Sequence, residues 1–160
     1  MKNGSTKNPR PEPAAEAPLE LEEFLCFAVY SASHAFNRVY QPLLKDLGLT
    51  YPQFIVMVLL WGQDEQTVGE LGRKLFLQSN TLTPMLKRLE TLGYIRRSRD
   101  FADERQVRIT LTEAGRKLRG QASGIVRSVR DATGLREQRV TELTQEVDAL
   151  RRALESHKAT

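Results

Sequence analysis

Residues 67–97 read TVGELGRKLFLQSNTLTPMLKRLETLGYIRR, and residues 103–115 read DERQVRITLTEAG. The first stretch opens on a Thr-x-x-Glu capping box, Thr67 to Glu70, which starts a short helix running through Leu75. After Phe76-Leu77-Gln78, Ser79 is placed to cap a second helix. Leu82, Met85, Leu86 and Leu89 share one face of it, and Asn80, Thr81, Thr83, Lys87 and Arg88 point outward. Gly93 closes that helix and the pattern changes to period two. Tyr94 to Arg99 and Gln106 to Leu111 read as strands, with Val107, Ile109 and Leu111 alternating with Gln106, Arg108 and Thr110. Asp100 to Arg105 is the polar loop between them.

Two short helices followed at once by a basic hairpin are the order of a winged helix-turn-helix. The second helix is then the one that enters a major groove, and the hairpin tip reaches the backbone or the adjacent minor groove. Ser79, Asn80, Thr81 and Thr83 are short enough to approach base edges or phosphates near a helix N-terminus, where free amides favour anions. Lys87 and Arg88 neutralise phosphates a turn later. Arg105 brings a guanidinium to the loop, and Asp103, two residues earlier, is positioned to hold it. The charge distribution agrees. Met85 to Arg130 carries twelve Lys/Arg against five Asp/Glu, a local balance of +7 in a chain whose net charge is +4. A solvated helix surface would produce some of this pattern, and Ser79 could be only a cap.

Outward from this lobe, Leu21, Leu25, Ala28, Val29, Ala32, Phe36, Val39 and Leu43 recur at steps of three and four, the stripe of one long helix. A second stripe, Cys26, Tyr30, Ser33, Asn37 and Tyr40, runs beside it, so the helix is expected to pack on two sides, one of them against another subunit. Pro42 is a candidate kink and Gly48 a C-terminal stop. Thr50-Tyr51-Pro52 opens the next helix, whose apolar body, Phe54 to Trp61, belongs in the core. Downstream, Thr112 caps a long helix carrying Leu118, Ala122, Ile125 and Val129. Val140, Leu143, Val147, Leu150 and Leu154 then form a seam suited to pairing with another helix. The expected organisation is a flexible Pro/Ala-rich tail over 1–18 and one mainly α domain over 19–160 with a small β-hairpin. Its winged-helix lobe spans about 50–112, and dimerisation helices span about 19–47 and 113–156.

Composition narrows the class. The chain has 160 residues, 40% of them apolar, enough for one cored domain. No apolar run approaches the ~18 residues of a membrane span, so no membrane partner is expected. The start lacks the charged-then-apolar order of a secretory signal, which points to the cytoplasm. One cysteine and two histidines make no intramolecular disulfide and no plausible zinc site, and neither a metal nor a cofactor is expected.

The two quoted segments resemble the MarR family of bacterial transcription regulators in order and spacing, and the likeness extends over about 21–154. That resemblance implies a homodimer, joined through its terminal helices, on a pseudo-palindromic double-stranded DNA operator, with repression as the family default. Within it, Leu82-Thr83-Pro84, Cys26, Tyr30, Tyr40 and the LTYPQF segment containing Tyr51 resemble the organic hydroperoxide resistance regulators. The resemblance implies that Cys26 is a redox sensor and that Tyr30, Tyr40 and Tyr51 stabilise its thiolate.

The chemistry stands on its own terms as well. A thiolate is the nucleophile that attacks a peroxide oxygen, and phenolic O–H groups donate to it without bringing a competing charge. Cys26 and Tyr30 are four residues apart and can share a helix face. Cys26 and Tyr40 are separated by ~21 Å of straight helix, so only an antiparallel partner helix brings them together. Phe24, Phe27 and Phe36 are available to make the surroundings apolar, favouring organic hydroperoxides. No second cysteine is present to form a disulfide with the oxidised thiol, so the expected course is a mixed disulfide with a small thiol or, failing that, over-oxidation to the sulfinic acid. Three other readings compete: a small core cysteine in a regulator that answers a phenolic or aromatic ligand, a thiol peroxidase, and a helical adaptor without a DNA role. The last two lack support, since neither a second thiol nor a base near Cys26 is evident and the middle of the chain is basic.

Overall fold

The computed structural model describes residues 20–101 and 103–157. The expected tail over 1–18 lies outside the described residues. The chain runs α1 (Leu25–Leu44), α2 (Tyr51–Gly62), β1 (Gln66–Thr67), α3 (Val68–Leu75), α4 (Ser79–Thr91), β2 (Ile95–Arg99), β3 (Val107–Leu111), α5 (Glu113–Ala132) and α6 (Glu137–Ser156). Short 3-10 turns lie at Leu21–Glu23 and Lys45–Leu47. Gly48, in the left-handed region at φ 65°, ends the second of these. Pro42 is accommodated inside α1, which stays α-helical through Leu44.

The core gathers under α2. Phe54, Val56, Met57 and Leu60 are buried there against Leu71 of α3, Leu82, Leu86 and Leu89 of α4, and Ile95, Ile109 and Leu111 of the sheet. The buried leucines of α3 and α4 therefore face one nucleus, which fixes the outward side of α4, while Phe76 in the turn between them stays exposed. The sheet has three antiparallel strands in the order β1-β3-β2. Ile95 pairs with Leu111 and Arg99 with Val107, as the alternation predicts. The third strand, Gln66–Thr67, was not expected. It is two residues long and coincides with the helix cap, so it carries no period of its own.

Caps form where the sequence places them at Thr67 and Thr112. Thr67 Oγ1 accepts the Glu70 N–H at 3.2 Å, and Glu70 returns a bond to the Thr67 N–H at 2.7 Å. Those bonds hold the Glu70 carboxyl below the usual range. Thr112 Oγ1 accepts the Gly115 N–H at 3.1 Å. Ser79 differs from expectation: it is the first helical residue, Gln78 occupies the N-cap, and no side chain caps α4. The chain leaves its left-handed turn at Phe76 (φ 57°) with Gln78 already extended, so the helix starts right after it.

Helix α1 was expected to pack on two sides, one of them against another subunit. Within one copy Leu25 is 61% and Phe36 43% exposed, and burial begins only near Leu43 and Leu44. Helix α6 contains no buried residue, and Val147 and Leu154 are 51% and 66% exposed. A single copy thus leaves two long apolar helix faces uncovered.

The wing is docked onto the helices through one crowded junction. Trp61 Nε1 donates to the Gly115 carbonyl at 2.8 Å, and Asp64 accepts from the Leu111 N–H at 2.8 Å and from Arg116 at 2.9 Å. Gly115 lies so close to the Tyr94 carbonyl that an added Cβ would overlap it. Gly115→Ala is expected to destabilise the fold by roughly 2–3 kcal/mol, since backbone must move to admit the methyl. Chemical unfolding measures it, and an unshifted midpoint would contradict this packing.

Candidate functional site

Two sites emerge, at opposite ends of the molecule's logic: an outward cationic face on the wing lobe, and the neighbourhood of the thiol on α1. On α4, Ser79, Asn80, Thr81, Lys87 and Arg88 are exposed and Thr83 is half-buried. The Thr83 hydroxyl donates back to the Ser79 carbonyl at 2.7 Å, so its proton is engaged within the helix. Pro84, inside α4, removes the donor that would otherwise close on the Asn80 carbonyl. That leaves the Asn80 carbonyl without its helical donor, while the Thr81 hydroxyl donates to Asn80 Oδ1 at 3.4 Å. Lys87 and Arg88 make no ion pair among the described residues.

At the wing tip, Asp103 holds Arg105 as expected. The Arg105 Nε donates to one carboxylate oxygen at 2.9 Å and Nη2 to the other at 3.2 Å, while the Arg105 backbone N–H adds a third bond at 3.1 Å. The pairing depresses the Asp103 carboxyl and raises the Arg105 guanidinium. The Arg105 side chain remains 90% exposed, an oriented cation on a fork of fixed geometry.

Not every arginine of the basic middle belongs to this face. Arg97 turns inward onto Glu90, whose carboxylate also accepts the Arg97 backbone N–H at 2.9 Å. Arg108 binds buried Asp100 through Nε at 2.6 Å and also donates to the Glu65 carbonyl. Both are structural. Arg96 and Arg99, by contrast, are exposed and unpaired among the described residues, and they extend the cationic face along β2. The alternation of the hairpin distinguishes these arginines only once the partners Glu90 and Asp100 are placed.

On α1, Cys26 is a free, exposed thiol one residue into the helix. Tyr30, four residues on, is 61% exposed and leans on His34, ring centroids 4.4 Å apart, and on Phe27 at 6.4 Å. No hydrogen bond joins Tyr30 to Cys26 among the described residues. Tyr40 and Tyr51 do come together, stacked at 4.3 Å with 29° between their planes, and Tyr40 also packs on Phe54 at 5.8 Å. Burial raises both phenols, with the neighbouring Tyr51 adding to the effect on Tyr40. Both hydroxyls therefore keep their protons and can donate. Within one chain the site is split: Cys26 and Tyr30 at the start of α1, Tyr40 and Tyr51 at its far end.

Residues 38–121 match the family model described as Transcriptional regulator SarA/Rot. The Organic hydroperoxide resistance transcriptional regulator of Bacillus subtilis (strain 168) is 43% identical over 138 residues, covering 86% of this chain and 92% of that protein. The chain belongs to the MarR family, in its SarA/Rot branch. The HTH-type transcriptional regulator TtmR of Methylorubrum extorquens (strain PA1) is 51% identical over 118 residues, and the match spans 60% of TtmR's own length. Solved structures of AbfR bound to DNA are similar in two states. The reduced form is 36% identical with a TM-score of 0.68, covering 83% of this chain and 93% of that one. The overoxidized form is 37% identical with a TM-score of 0.67, covering 81% and 91%.

This MarR-family chain is accordingly a DNA-binding transcriptional regulator. Its wing and α4 generate a first test. If this face meets the operator as the sequence leads one to expect, Arg105→Ala and Lys87→Ala should each weaken operator binding and lower the slope of log affinity against log salt by about one, since each removes one cation from it. Fluorescence anisotropy across a salt series reads both quantities. Wild-type affinity and slope in both variants would move the DNA face elsewhere.

Proposed function

We propose that this MarR-family regulator is a homodimeric repressor that occupies a pseudo-palindromic operator in the cytoplasm and leaves it when Cys26 is oxidised by an organic hydroperoxide. The observation that carries the reading is the position of Cys26: an exposed thiol on a helix face that a single chain leaves uncovered, with two protonated phenols stacked at the far end of the same helix. An antiparallel second copy of α1 covers the uncovered face and lays Tyr40 and Tyr51 of one subunit beside Cys26 of the other. The seam of α6 closes the same interface. The likeness to a Bacillus subtilis regulator of organic hydroperoxide resistance supports the choice of signal.

The chemistry is a two-electron exchange. The Cys26 thiolate attacks the terminal peroxide oxygen, an S–O bond forms as the O–O bond breaks, and the departing alkoxide takes a proton to become an alcohol. Sulfur is oxidised to the sulfenic acid and the peroxide is reduced. The phenols of Tyr30, Tyr40 and Tyr51 are the donors that stabilise the thiolate beforehand. Phe24, at the N-cap of α1, and Phe36 within it are both exposed and add apolar surface that suits an organic over an inorganic peroxide.

The sulfenic acid alone adds one oxygen atom, a small perturbation. Overoxidized AbfR is found bound to DNA, so in that relative oxygen on sulfur is compatible with binding. Here the effective signal is a bulkier product: a small thiol attacks the sulfenic sulfur, water leaves, and a mixed disulfide fills the interface. From there the strain passes through the Tyr40–Tyr51 stack and Phe54 into the core beneath α4.

Cys26→Ser should bind the chain's own upstream DNA like wild type, because a hydroxyl is nearly isosteric on an exposed turn. It should not release that DNA on treatment with cumene hydroperoxide plus a small thiol, whereas wild type should. Gel shift reads both outcomes, and release by the serine variant would place the sensor elsewhere.

A further inference from the structure

Phe101 stands in the wing loop just after β2, and its side chain is fully exposed, more open than any other large apolar residue among those described. Leu25, Val29, Phe36, Val147 and Leu154 belong to the two uncovered helix faces, and the Phe76 ring lies beneath the Arg151 guanidinium. Phe101 belongs to neither face, and no aromatic ring or guanidinium packs on it among the described residues. The loop that carries it is nonetheless held in place. Buried Asp100 accepts the Asp103 N–H at 3.2 Å and Arg108 Nε at 2.6 Å, while its own N–H donates to the Gln106 carbonyl at 3.0 Å. The Gln106 N–H closes the turn on the Asp103 carbonyl at 2.8 Å. An apolar ring mounted on so constrained a corner loses little backbone freedom on contact.

The neighbours of the ring decide what meets it. Arg96, Arg99 and Arg105 are exposed on the same hairpin, and together they favour a polyanion. Double-stranded DNA supplies that charge and also an apolar surface: between the phosphates, the C–H faces of the deoxyriboses wall the minor groove. We infer that Phe101 packs against those sugars, giving the regulator an apolar grip on its operator that does not depend on salt. The inference rests on the reading that the wing meets the operator. Arg105 and Phe101 then divide the work. The guanidinium acts by charge and gains as salt falls, whereas the ring acts by excluding water from sugar carbons and displaces no counterion.

Fluorescence anisotropy of the full-length protein on its own upstream DNA, across a salt series, separates the two contributions. Phe101→Ala should weaken binding about tenfold at every salt concentration and leave the slope of log affinity against log salt unchanged. Phe101→Leu, which keeps an apolar side chain, should retain most of the affinity. Thermal unfolding of both variants should match wild type, because the ring is fully exposed. With p-benzoylphenylalanine in place of Phe101, ultraviolet light should cross-link the protein to the DNA. Wild-type affinity in Phe101→Ala beside a weakened Arg105→Ala overturns this inference and keeps the wing on the operator. A reduced salt slope in Phe101→Ala, which would mean a displaced cation, overturns it as well. So does a cross-link that joins another protein chain in place of the DNA. Wild-type affinity and slope in both Phe101→Ala and Arg105→Ala take the wing off the operator, and this inference with it.

Discussion

Cys26 and Tyr40 lie on one unbroken helix, fourteen residues apart, and the rise of an α-helix keeps them ~21 Å from each other. This constraint organises the rest of the molecule. In the function proposed above, the thiol and its donors meet only where two copies of α1 lie antiparallel. The packing makes the same demand. Helix α1 leaves Leu25, Val29 and Phe36 open, α6 buries nothing, and such surfaces are unfavourable in water. The hydrophobic effect and the redox chemistry thus call for one interface.

A sensor placed there, as proposed, would let a small chemical change reach the DNA face. Tyr40 and Tyr51 join the end of α1 to the start of α2, and Phe54 of α2 is sealed in the core that fixes Leu82, Leu86 and Leu89 of α4. Close-packed cores move as units, so a group wedged between subunits displaces lobes and not single side chains. A second tie runs from α6 to the turn before α4. The Arg151 guanidinium sits 4.1 Å over the ring of Phe76, a non-glycine residue held in the left-handed region. The interface helices therefore touch the helix-turn-helix at both its base and its turn.

Much of this was legible in the chain, and what was hidden has a common cause. The capping box at Thr67, the Thr112 cap, the Leu82-Leu86-Leu89 face and the hairpin alternation are local signals, and local physics realised them. The Asp103–Arg105 fork is likewise a contact over two residues. Features that depend on distant partners were not readable. Strand β1 exists because Gln66 and Thr67 meet Ile109 and Arg108 across the fold. Arg97 and Arg108 resemble the free arginines around them until Glu90 and Asp100 claim them. Ser79 has the right chemistry for a cap, but the left-handed turn at Phe76 shifts the cap to Gln78. The stripe over 21–43 reads as amphipathic whether its apolar face meets its own core or another subunit.

The claim on which the account stands is that the thiol of one subunit meets Tyr40 of the other. Tyr40→Cys with a short bis-maleimide tests it directly, because the reagent spans the reach of the lost phenol, which a direct disulfide cannot. Treatment of this variant should link the subunits, giving a covalent dimer on a denaturing gel whose mass-mapped cross-link joins Cys26 to position 40. A variant that stays monomeric on that gel, or links only Cys26 to Cys26, would contradict the shared site.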